Sequence, residues 1–149
     1  MEPNAFLLFN VALAFYNVGT IWAHEIDIFR TWKLINPKDF STVQTAHWRK
    51  LPYWIFTPAG IALAGGIALI WYHPRGSPLW GIAGNLGCQA LAIILTTLLW
   101  GRWQALLSKD PHGSHSRYLD KILATHWIRT MLVSGYAVIL LAWLLNVST

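Results

Sequence analysis

The sequence predicts an all-α integral membrane protein: a bundle of four transmembrane helices, built as a tandem two-helix pseudo-repeat, with both termini on the non-cytoplasmic side. Three observations predict it. Residues 5–23, 51–72, 76–101 and 130–149 contain no Asp, Glu, Lys or Arg, and each run is close to the ~20 residues that cross ~30 Å of hydrocarbon as a helix. Ten of the 11 Lys and Arg residues fall in two connecting segments, 27–51 and 101–130, which the bias of basic residues toward the cytoplasm assigns to that side. Finally, 11% of the 149 residues are charged and 55% are hydrophobic, against roughly 25% charged in soluble domains. The chain reads as a single membrane domain, 1–149, with helices near 4–30, 41–72, 77–107 and 117–147.

The first helix carries Asn10, Asn17 and His24 at seven-residue spacing, one stripe with Thr20 beside it. After it, Asn36-Pro37-Lys38-Asp39 signals a turn, and Ser41 is the expected N-cap of the second helix. Pro52 and Pro58 should kink that helix, and Gly60, Ala64 and Ala68 give it a small-residue contact face. A short link holding Arg75 leads to the third helix. Its small face is Ala83 and Gly87, and its polar face is Asn85, Gln89 and Thr96. Lys109-Asp110-Pro111-His112-Gly113 is the next turn, followed by Ser116 as N-cap and by a fourth helix that aligns His126, Thr130 and Ser134. Trp48, Trp54, Trp71, Trp80, Trp100, Trp103, Trp127 and Trp143 lie near run ends, where interfacial anchors are expected.

Several function classes drop out. Cys88 is the only cysteine, so an intrachain disulfide, a dithiol redox pair and a thiolate zinc site are excluded. The net charge of +5 sits beside apolar runs, which suits anionic headgroups and not nucleic acid. Glu2 stands where a signal peptide would be basic, so a cleaved leader is not expected. The halves resemble each other: a shift of 79 residues lays Ala46-His47-Trp48 on Thr125-His126-Trp127, with Arg49 and Arg129 following, and Asn10 on Gln89. Both copies would run in the same direction, about a pseudo-two-fold axis along the membrane normal.

Amides without partners in hydrocarbon cost several kcal/mol, so the polar stripes should face the bundle interior. They serve either as interhelical hydrogen bonds or as the lining of a cavity open to the cytoplasmic leaflet. At that end gather His24, Glu25, Asp27, Gln44, His47, Arg49, Arg102, Gln104, His126 and Arg129. His47 and His126 hold equivalent places in the halves. They could ligate a haem iron, or share a smaller metal with Glu25 or Asp27, or be plain interfacial residues. Neighbouring His24 and Glu25 should point apart on a helix. Arg129 offers a fork of donors to an anion, an enolate or a phenolate, the alternatives being an ion pair with Glu25 or Asp27 or snorkelling to lipid phosphate. Glu25, desolvated at the membrane edge, is a candidate base. His112 and His115 should be solvated, and His73 is given no role.

The stretch Leu99-Trp100-Gly101-Arg102-Trp103-Gln104, with Thr125-His126-Trp127-Ile128-Arg129-Thr130, resembles a pattern in small four-helix bacterial membrane proteins of the anthrone oxygenase-like family. The likeness covers the second half and, in the first, chiefly hydropathy. It implies oxygenation of a polycyclic phenol without metal or flavin. His126 or His24 would be the base, Arg129 would stabilise the phenolate or peroxide, and Trp100, Trp103 and Trp127 would stack on the rings. Most members of that family have no assigned function.

The expected function is therefore binding, and in one version oxygenation, of a lipophilic aromatic or quinone-like molecule, with Asn17 and Gln89 as interior amides facing it. The alternatives are an accessory subunit of a larger membrane complex and a haem or metal electron-transfer protein using His47 and His126. No cofactor is expected under the first reading; haem b or a metal ion is expected under the last. Membrane lipids and a hydrophobic small molecule are the expected partners, with a homo-oligomer or larger complex as a further one. The expected location is the bacterial inner membrane, crossed several times.

Overall fold

The computed structural model describes residues 2–148. Among the described residues the regular structure is entirely helical. Four long helices, α1 (Pro3–Leu34), α2 (Pro37–Ala68), α3 (Leu79–Leu107) and α4 (Arg117–Ser148), are each long and apolar enough to cross a membrane. Links of two and nine residues, 35–36 and 108–116, join α1 to α2 and α3 to α4 at the basic end. The start of α1 at Pro3, the end of α4 at Ser148 and the link 69–78 lie at the other end.

The helix starts follow from local chemistry. Ser116 accepts from the Tyr118 N–H at 3.1 Å and caps α4 as expected. At α2 the expectation of Ser41 fails: Asn36 caps the helix by accepting from the Lys38 N–H at 3.0 Å. Pro37, with its φ preset, occupies the first turn, and Ser41 falls inside the helix. Gly113, at φ +54°, turns the second hairpin. A Cβ there would lie 2.9 Å from the Pro37 carbonyl oxygen, so a glycine lets the hairpin seat against the start of α2. Lys33 and Asp120, 2.5 Å apart, join the end of α1 to the start of α4.

α4 lies along both α1 and α3, whereas α2 closes the bundle more loosely. π turns interrupt the other three helices at His24–Ile28, Pro52–Phe56 and Thr96–Trp100. The expected disturbance of α2 thus takes the form of a π turn at Pro52, where the Thr57 hydroxyl donates to the Pro52 carbonyl at 2.7 Å. Pro58 has no N–H to offer the carbonyl four residues back. That carbonyl, of Trp54, accepts from the Tyr16 hydroxyl of α1 at 3.3 Å.

Two apolar clusters fill the bundle. One, toward the termini, centres on Leu7, Ala14, Leu140 and Trp143. The other, at the basic end, centres on Phe29, Trp32, Phe40, Leu107 and Ile122. Polar residues of the predicted stripes are buried along the interior: Asn10, Asn17, His24, Asn85, Gln89, His126 and Thr130.

Two expectations about packing need correction. Gly60 and Gly87 have open space where a Cβ would lie, and Ala64 and Ala83 are exposed. The close approaches belong to other small residues. A Cβ on Gly66 would lie 2.8 Å from Gln89 Nε2 and 2.9 Å from Asn85 Nδ2, and one on Gly81 2.8 Å from the Trp143 indole. The contact register is set by the bulky or polar side chains that must be housed, not by small residues in isolation. Trp100 and Trp143, 1% and 0% exposed, are core residues and not interfacial anchors. Each indole N–H finds a hydroxyl, of Thr125 at 3.0 Å and of Ser77 at 2.9 Å, which makes burial affordable. Trp54, Trp71, Trp80 and Trp127 are exposed, as anchors would be.

Candidate functional site

A cavity of 290 Å³ lies within the bundle, with walls from all four helices. Its lining is mostly apolar, from Ile21, Ile55, Phe56, Leu63, Ala92 and Val133. The predicted stripes supply Asn17 and Thr20 of α1 and Gln89 and Thr96 of α3, and Thr97 of α3 adds a hydroxyl outside them. α4 contributes Arg129 and Tyr136. The exposed lining residues are Phe56, Ala59 and Gly60 on α2 and Ile93 and Thr97 on α3. The mouth therefore lies between α2 and α3, on the outer face of the bundle. The crevice lies beside α2, the helix that packs most loosely on the others.

Behind the cavity wall runs a chain of ionisable groups. Arg129 lines the cavity, and its Nη2 contacts His126 Nε2. His126, 1% exposed, bonds Glu25 Oε2 through Nδ1 at 2.8 Å. Arg30 donates to Glu25 Oε1 at 3.3 Å and to its carbonyl at 3.0 Å. The partners set the tautomer, since a carboxylate only accepts and a guanidinium only donates. Nδ1 of His126 carries the proton and Nε2 presents its lone pair to Arg129. The guanidinium also stands over the Trp100 ring, 5.3 Å from its centroid, a cation–π contact that fixes its plane. Arg129 Nε is buried with no hydrogen-bond partner.

Both His24 and Glu25 are buried, at 6% and 9% exposure, although neighbours were expected to point apart. They open the π turn His24–Ile28, whose wider winding brings both toward the interior. His24 donates from Nδ1 to the Thr20 carbonyl at 2.7 Å, which leaves Nε2 buried and without a partner. Its ring lies 5.2 Å from that of half-buried His47, which in turn packs edge-on to Trp32. His47 and His126, aligned by the sequence halves, thus stand in different surroundings. Among the described residues no group of three or more His, Cys, Asp and Glu is arranged to hold a metal ion.

Other predicted residues lie outside the site. Trp100, Trp103 and Trp127 do not line the cavity. Trp100 supports Arg129 from behind, Trp103 packs in the basic-end core beneath Lys121, and Trp127 is exposed. Asp27 accepts from the Thr31 hydroxyl on the surface. Gln44 is buried and reaches the Gln104 carbonyl at 3.5 Å, away from the cavity. His112 pairs with Asp110 at 2.8 Å while remaining mostly exposed. Sequence reasoning missed Tyr136, whose hydroxyl accepts from Asn17 Nδ2 at 2.9 Å. Its signal was available, since a mid-span tyrosine needs a partner for its hydroxyl. Phe56, Gly60 and Arg30 carried none. Comparison with protein-family models, with curated proteins and with solved structures gave no match.

Proposed function

We propose that this chain is a multi-pass protein of the bacterial inner membrane that binds a lipophilic aromatic or quinone-like molecule bearing an acidic hydroxyl. The ligand slides from the bilayer between α2 and α3 and places its oxygen on Arg129. The observation that carries the reading is Arg129 itself: an arginine lining a mostly apolar cavity, with its Nε buried and unpartnered and its guanidinium over the Trp100 ring. An arginine so placed in hydrocarbon is costly, and its usual reason is function. The amides of Asn17 and Gln89 and the Tyr136 hydroxyl supply the remaining polar contacts. The mouth faces the side of the bundle, which points to a ligand dissolved in lipid. Both termini outside and a two-helix repeat are part of the same proposal.

The chemistry suggested by the anthrone oxygenase resemblance fits this cavity as a proposal. His126 would be the base once the ligand oxygen draws Arg129 away from its Nε2, and the ring carbanion would pass an electron to O₂. The test compares 7-hydroxycoumarin with coumarin, which lacks the hydroxyl, by quenching of tryptophan fluorescence in detergent. The protein should prefer the hydroxylated probe. Arg129→Gln should lose about 1.5–3 kcal/mol of that preference, or roughly tenfold to a hundredfold, as for a charged hydrogen bond. Equal binding of the two probes by the unaltered protein sinks the proposal.

A second reading has one observation in its favour. His24 Nε2 is a buried lone pair without a partner, with the His47 ring beside it. A metal ion or haem iron would fall to these two, because His126 is held at both ring nitrogens. A Soret band, or a stoichiometric metal lost in His24→Phe, would support it; a purified protein with neither would end it.

A further inference from the structure

The cavity and the water at the basic end are joined by the chain Arg129, His126, Glu25. Arg129 forms part of the cavity wall. His126 presents Nε2 toward Arg129 and Nδ1 toward Glu25. The Glu25 side chain is 11% exposed and is held by Arg30, itself 60% exposed. An imidazole bonded at both nitrogens, to a donor on the ligand side and to a carboxylate on the water side, has the arrangement of a proton shuttle. For mere anchoring of Arg129, a carboxylate alone would serve.

We propose that Glu25 and His126 form a proton relay that carries the hydroxyl proton of a cavity-bound ligand to water at the basic end. The inference rests on the ligand reading above and adds the fate of the proton. His126 does not itself line the cavity; when a phenol oxygen becomes the acceptor for Arg129 and draws its side chain off Nε2, the freed lone pair becomes open to the O–H. The O–H bond breaks and an N–H bond forms at Nε2. The Nδ1–H bond breaks as its proton passes to Glu25 Oε2, and the carboxyl group then loses it to water. The ligand remains as a phenolate paired with the Arg129 guanidinium, and one proton has left. Nothing is oxidised or reduced in this step. The charged and titratable groups near the relay are Arg30 and His24 from α1, His47 from α2 and Arg129 from α4, while α3 brings the uncharged Trp100. Glu25 is the carboxylate bonded to His126, and it is therefore the expected exit.

The experiment adds 7-hydroxycoumarin to the detergent-purified protein in weakly buffered solution, at a pH where the free probe is the neutral phenol. Its excitation spectrum distinguishes phenol from phenolate, and an indicator dye reads protons released. The unaltered protein should bind the probe as phenolate and release one proton per probe bound. Glu25→Gln keeps an acceptor for His126, and should bind the probe as the neutral phenol with no release. A phenolate spectrum without release in the unaltered protein overturns the relay, because the proton would then be stored on the His126–Glu25 pair. Equal release from Glu25→Gln also overturns it. Where the variant fails to fold, a lack of release from the unaltered protein still overturns the relay. A probe that does not bind at all overturns the ligand reading itself and the relay with it.

Discussion

Replacing Glu25 by alanine should destabilise the bundle far more than replacing it by glutamine. The buried carboxylate accepts from His126 Nδ1 at 2.8 Å and from Arg30 at 3.3 Å. The Arg30 pair is worth little, because the arginine is 60% exposed and exposed pairs contribute about 0–1 kcal/mol. Losing the acceptor of a fully buried imidazole N–H costs about 1–3 kcal/mol. The same change leaves the guanidinium of Arg129 without its nearest negative charge, and breaking a buried ionic network costs about 3–5 kcal/mol. Alanine should therefore cost about 3–5 kcal/mol in all. Glutamine loses the same charge but keeps an oxygen for Nδ1–H, and should therefore cost about 1–3 kcal/mol less than alanine. Reversible denaturation in mixed micelles, followed by circular dichroism, reads both values. A double-mutant cycle with His126→Phe should give a coupling above about 1 kcal/mol for residues in one network. A cost under about 1 kcal/mol for alanine would refute the reasoning, since the Glu25–His126 bond would then not be holding the site.

Other outcomes follow from single contacts. Gly60→Leu should leave stability within about 0.5 kcal/mol, because open space surrounds its Cβ position, yet should block the cavity to 7-hydroxycoumarin in the fluorescence assay. Gly66→Ala places a methyl against the Asn85–Gln89 amide pair and should cost about 1–3 kcal/mol in the same denaturation experiment. Asp110 accepts from the Ser116 hydroxyl and from the His112 N–H and ring, which pull its pKa down from 3.8 to about 2. A lowered folded pKa means that its contribution to the 108–116 hairpin is present above about pH 4 and is lost as pH falls toward 2. Proteolysis of the hairpin by an acid-active protease should accelerate over that window, and Asp110→Asn should remove the dependence.

Four spans and an inward-facing set of amides were legible because hydrocarbon leaves few choices. An uncharged run of the right length crosses as a helix, and Asn10, Asn17, Asn85 and Gln89 cannot face lipid without partners. Ser116 was legible as a cap because its chemistry is local. Asn36 was open to the same reasoning, but the serine farther on drew the prediction five residues too late. The indoles were ambiguous in principle, since a tryptophan near a run end suits either an interface or a core. Trp100 and Trp143 went inside because Thr125 and Ser77 happened to stand where an N–H could reach them. His24 and Glu25 were read apart because the helical period was taken as regular, and nothing in HEIDI announces a π turn.

Composition and periodicity are properties of one helix at a time, and they suffice for spans, caps and the inward faces of α1, α3 and α4. The cavity is not such a property. It exists because α2 packs loosely while α4 holds to both α1 and α3, and its mouth, Gly60 and Phe56, carries no mark in the chain. The union of Glu25, His126 and Arg129 likewise depends on how α1 and α4 are rotated about their axes, and residues 101 positions apart meet only once that packing is settled.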